Sequence, residues 1–189
     1  AVYRMPRMIS PQPFRTGLRN PVALEVLRGI LEEVRPDVVH AHNIHWQISY
    51  ASLELAKQHT DRLFFTAHDT ISVSYTKVFP PPAAKQSGRW RPGMYRMRWW
   101  ELLRQAKFDW LPLRRHNIKR VLGAARRIFA VSDALRQFLE ENGIGNIETL
   151  HNGITTDLFD AVSAPAIEQF RNEKGLKGKK VVFFGGRIG

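Results

Sequence analysis

Four short polar clusters each follow an apolar run in this chain: His40-Ala41-His42-Asn43, His68-Asp69, Ser132-Asp133 and His151-Asn152-Gly153. If each run is a β-strand and the strands lie parallel, all four clusters line one rim, because ligands of such sheets sit at the carboxyl ends of the strands. That convergence points to a site without naming its reaction. His40, His42 and His45 raise a metal reading, since residues two apart on a strand share a face. No cysteine or carboxylate joins them at a recognisable ligand spacing, so no metal is expected. A covalent nucleophile has no support either: there is no G-x-S-x-G, no cysteine and no identifiable carboxylate pair.

The elements that would position these clusters follow from periodicity. Val22, Leu24, Leu27, Ile30, Leu31 and Val34 fall at helical spacing over 20–35, with Asn20 as N-cap and Pro21 at the first helical position. Short apolar strands are expected at 38–42, 63–67, 127–131, 147–151 and 180–184. Helices are expected over 46–59, 95–107, 113–125 and 132–142, with a polar one between 157 and 176. Pro80-Pro81-Pro82, Gly88 and Gly93 predict an irregular loop before the helix near 95. Strands alternating with helices, the strands almost wholly apolar, predict an α/β fold: a Rossmann-like, parallel, doubly wound sheet.

The bulk numbers bound the reading. With 189 residues, 43% of them hydrophobic and 24% charged, the chain is an ordinary globular protein able to bury one α/β core. No apolar run approaches the length needed to cross a bilayer, and the opening AVYRMPRM lacks the apolar core of a signal peptide. The lack of cysteine fits a reducing cytoplasm. The start at Ala1 and the end at Gly189, inside a strand-then-glycine motif, read as an internal fragment. Net charge is +12, and all of it is local. Between Lys77 and Arg127 there are 14 Lys/Arg against Glu101 and Asp109, while the rest of the chain holds 15 basic and 15 acidic residues. The same stretch holds Trp90, Trp99, Trp100 and Trp110, so an anionic partner is expected there.

Five segments in order, PDVVHAHN (36–43), FFTAHDT (64–70), RIFAVSDALRQFLEENGI (127–144), LHNGITTDLF (150–159) and VVFFGGRIG (181–189), resemble the retaining GT-B glycosyltransferases of family 4. The resemblance implies the N-terminal, acceptor-side half of a GT-B fold over 1–157, an interdomain linker over 158–177 and the first strand of the donor domain over 178–189. It implies sugar transfer from a nucleotide-diphosphate sugar to a glycan or lipid-linked acceptor, with retention and without a metal or other cofactor. His68 is similar to the family's histidine that hydrogen-bonds the donor sugar beside the reacting carbon. Arg187, with Gly186, resembles the arginine that pairs with the nucleotide diphosphate, a task that suits a guanidinium fork. His42, Asn43, Asp69 and Asn152 are expected around the cleft.

Each assignment has a plainer competitor. His68 could satisfy backbone groups at a strand end. Asp69 could orient the His68 ring or cap the next turn. Asn152-Gly153 suits a turn needing positive φ, and Ser132 suits an N-cap, although a helix N-terminus also favours phosphate. The basic stretch admits three readings: a solvated face with structural tryptophans, a surface for an anionic membrane or lipid-linked acceptor, or a nucleic-acid contact. Arg89, Trp90, Arg91, Arg96, Arg98, Trp99 and Trp100 would form the membrane or acceptor surface, since Trp seats at headgroup depth and cations attract acidic lipid. That reading puts the protein at the inner face of the membrane. The competing class is a non-catalytic basic module for membrane or RNA, though no nucleic-acid motif is present.

Overall fold

The computed structural model describes residues 2–5, 10–77, 92–157 and 162–182. The chain divides into two compact units, Ala1–His151 and Asn152–Gly189. Helix α1 (Pro13–Leu18) and α2 (Pro21–Val34) precede β1 (Val39–His42), α3 (Ala51–Lys57) and β2 (Leu63–Ala67). Then come α4 (Trp99–Ala106), a 3-10 turn at Lys107–Asp109, α5 (Arg114–Leu122), β3 (Arg127–Ala130), α6 (Asp133–Glu141) and β4 (Ile147–Thr149).

The four strands form one sheet in the order β1-β2-β3-β4, every neighbouring pair parallel. Its register sets which residues share a face. Val39, Leu63 and Ala41, Phe65 are paired, and Phe65, Ala67 pair with Ile128, Ala130. Of these, Leu63, Phe65, Ala67, Ile128 and Ala130 are buried. They form the core with Leu53 and Leu55 of α3, Ile118 and Leu122 of α5, and Leu135, Phe138 and Leu139 of α6. Burying side chains of this size contributes roughly 1.5–3 kcal/mol each. The alternate residues, His40, His42, Phe64, Thr66 and Phe129, share the opposite face, where Phe64 and Phe129 stack at 6.1 Å. The arrangement is the parallel, Rossmann-like α/β architecture that the alternation predicts.

Local chemistry explains the boundaries. The Asn20 side chain accepts from Ala23 N at 3.3 Å, capping α2 as expected, and its amide donates to Gln47 O at 2.5 Å. That second bond helps make 44–48 a turn, so α3 starts at Ala51 rather than near 46, with Ser49 at φ 78°. Gly17 has a positional reason: a Cβ there would overlap the His45 carbonyl oxygen. Ser132 caps α6 by accepting from Leu135 N at 3.3 Å. The short helix α1 has no counterpart among the expected elements. The strands at 127–131 and 147–151 end one and two residues early, at Ala130 and Thr149.

In the second unit, α7 (Ala164–Glu173) is capped by Ser163, whose hydroxyl accepts from Ala166 N at 3.4 Å. None of its residues is buried. The strand expected at 180–184 is absent from Lys180, Val181 and Val182, and Phe183 and Phe184 lie outside the described residues. A strand needs a hydrogen-bonding neighbour, and among the described residues this unit has none.

Candidate active site

Because β1 to β4 are parallel, their carboxyl ends share one edge, and the polar clusters of the first unit are gathered there. Asn43 leaves β1 in the left-handed region at φ 48°, a conformation asparagine tolerates better than most residues. That turn carries the chain to buried His45. His42 and His68 meet across the β1–β2 pair: His42 Nδ1 lies 3.0 Å from His68 Nε2, so one ring donates and the other accepts. Behind them, His40 Nε2 lies 2.8 Å from Thr66 Oγ1, and the rings of His40 and His42 are 4.2 Å apart. Burial pushes both His40 and His42 below the ordinary histidine value, and the neighbouring imidazoles add to it.

Asp69 resolves in favour of capping. Its Oδ1 accepts from Ile71 N at 3.0 Å, and its Oδ2 lies 3.5 Å from His45 Nε2. The ring that Asp69 faces is therefore His45, not His68. Burial lowers the His45 pKa, opposed by Asp69 and reinforced by Lys77 and Arg114. His45 stands apart from the His40–His42 pair, and among the described residues no group of three His, Cys, Asp or Glu is placed to hold a metal.

Asp69 begins a compact loop built on hydroxyls. Thr70 Oγ1 donates to Thr76 O at 2.7 Å, Ser74 Oγ donates to the same oxygen at 2.7 Å, and Ser72 Oγ bonds the Tyr50 hydroxyl at 2.9 Å. Burial raises the Tyr50 phenol to about 12, so it stays protonated. Under the loop lies Arg114, only 3% exposed. Its guanidinium donates to Ser74 O at 3.0 Å and Ile71 O at 2.5 Å and sits 4.7 Å from the Tyr75 ring centre. Sequence reasoning counted Arg114 only as one charge of the basic stretch and missed this role. Only its place on the apolar side of α5, four residues before Ile118, hinted at it.

A cavity of about 290 Å³ opens beside His68. Its lining includes Asp69, Thr70, Lys77 and Tyr95, the α6 cap Ser132, and Leu135 and Phe138 of α6. Tyr95 is held there by α6: Glu141 accepts from Tyr95 N at 2.6 Å and Gly93 N at 2.9 Å, and Asn142 donates to Tyr95 O at 2.8 Å. Lys77 and Tyr95 of the basic stretch thus line the cavity. A half-buried imidazole beside hydroxyls, a lysine and aromatic faces can hold a polyhydroxylated ligand, with ring N–H groups donating to its oxygens.

Five further basic and aromatic residues of the stretch gather elsewhere on the same unit. Arg96, Arg98, Trp99, Trp100 and Arg115 surround a second hollow of about 530 Å³. Trp99 is 69% exposed and Trp100 42%, and Leu103, Phe108 and Leu113 nearby are exposed too. Arg104 lies 6.0 Å from the Trp100 ring centre. Arg115 is tied back to Asn142 O at 2.7 Å and Met97 O at 3.3 Å, and burial lowers its pKa. Arg89, Trp90, Arg91, Gly186 and Arg187 lie outside the described residues. Asn152 is exposed and opens the second unit. Among the described residues, no helix is long and apolar enough to cross a membrane.

Compared with known proteins, the chain is matched over residues 1–158 by the family model described as Glycosyltransferase Family 4. No curated protein and no solved structure matches it.

Proposed function

The chain belongs to glycosyltransferase family 4, and we propose that it forms the acceptor-side domain of a retaining GT-B enzyme that takes its sugar from a nucleotide-diphosphate donor. The observation that carries this reading is the family match over residues 1–158 together with His68 standing at a parallel-sheet edge beside a 290 Å³ cavity. In the reaction, a ring N–H of His68 hydrogen-bonds a hydroxyl of the donor sugar and holds its anomeric carbon toward the acceptor. Leaving of the nucleotide diphosphate builds positive charge on that carbon. Lys77 and the hydroxyls of Thr70 and Ser132 orient the acceptor in the cavity. In this reading no metal takes part.

The acceptor is a glycan or a lipid-linked sugar, and the α4 surface brings the domain to the anionic inner face of a membrane. Exposed Trp99, Trp100, Leu103 and Phe108 beside Arg96, Arg98 and Arg104 support this, because amphipathic rings and cations together suit the headgroup layer. The reaction is tested by supplying nucleotide-diphosphate sugars to the full-length enzyme and reading the anomeric proton of the product by NMR. A product with the donor's anomeric configuration is expected. An inverted product would remove the retaining assignment.

A further inference from the structure

The cleft histidine does not stand alone at the sheet edge. His42 and His68 belong to different strands, yet the parallel register that pairs His42 with Thr66 brings the ring of residue 68 alongside. Their nitrogens are 3.0 Å apart and their ring centres 5.3 Å apart. Asp69, the obvious carboxylate to steady His68, is occupied by Ile71 N and His45. His42 is itself fixed by strand β1 and by the His40 ring, which is anchored through Thr66. A neutral imidazole has one N–H and one lone pair, and what bonds one nitrogen decides which of them the other presents.

We infer that His42 is a positioning residue for His68: the His42 Nδ1···His68 Nε2 hydrogen bond selects the His68 tautomer and ring orientation, and so decides what His68 Nδ1 presents to the sugar. The inference rests on the preceding reading of His68. A pair of neutral rings shares one proton between the two facing nitrogens. A second proton would place two donors face to face and break the contact. Burial and the flanking imidazoles hold His42 below the ordinary histidine value, which keeps it a neutral partner at neutral pH. The groups facing the pair are His40 from β1 and, around the cavity, Asp69 and Lys77.

The test combines ring spectroscopy with kinetics on the full-length enzyme. Long-range proton–nitrogen spectra of 15N-histidine protein should show His68 as one tautomer, giving way to a mixture in His42→Phe. That variant keeps the ring volume but cannot hydrogen-bond. It should lose about tenfold or more in kcat with KM changed less than about threefold. His42→Gln, whose amide can restore a partner, should recover most of the loss at an unchanged melting temperature. Identical His68 ring signals in wild type and His42→Phe would overturn the inference, as would equal kcat losses in His42→Phe and His42→Gln. If the tautomer shifts on cue but His68→Ala transfers sugar at the wild-type rate, the positioning stands and the assignment of His68 to the donor sugar falls.

Discussion

Beneath the cleft, buried His45 makes stability pH-dependent with a definite sign. Its folded pKa is lowered, so below the ordinary value of about 6.5 the unfolded chain binds more protons than the folded one. The stability it contributes is complete above that value and is lost as pH falls from there through the lowered folded value. His40 and His42 act in the same direction. Melting temperatures measured from pH 7.5 to 5 should fall, and His45→Asn should flatten part of the slope; equal slopes would contradict the assignment. Arg114→Met, which strips donors from two buried carbonyls, should cost about 3 kcal/mol in urea unfolding. At this scale the sequence told which residue types end each strand, and so placed His68 and Ser132. It could not tell that Asp69 would choose His45 over His68, or that Arg114 would turn inward. Both depend on what folds above them.

Helices α4 and α6 carry the surface and the cavity wall. The basic, tryptophan-rich composition was visible in the sequence, and so was a helix near 95–107, although it begins only at Trp99 because Gly93–Met97, which opens on a turn, is tied to Glu141 and Asn142. Such long-range capping leaves no local signal. Cosedimentation with vesicles rich in phosphatidylglycerol should capture the protein at low salt. Binding should weaken as salt rises through the range where charges are screened, and Trp99→Ala with Trp100→Ala should weaken it several-fold. Failure to bind at low salt, or binding to single-stranded RNA but not to vesicles, would contradict the membrane surface. Gly17→Ala tests the same level from below: displacing the His45 carbonyl should cost about 2 kcal/mol or more, and a neutral result would show that the approach of α1 to the 44–48 turn is slack.

For the molecule as a whole, hydrophobic alternation was enough to predict a parallel α/β sheet, because strands covered by crossover helices must be almost wholly apolar. The order β1-β2-β3-β4 and the residue-by-residue register were not readable, since pairing is settled by packing rather than by any one segment. Register is what gathers the polar residues that end β1, β2 and β3 on one edge and puts His42 against His68. The most direct measurement on that edge is the transfer rate of full-length His68→Ala against wild type, with folding checked by melting. A loss of about 100-fold or more in kcat/KM is expected for removing a hydrogen-bond donor that acts at the reacting centre. A loss below a few-fold in a folded variant would contradict sugar transfer at this cleft.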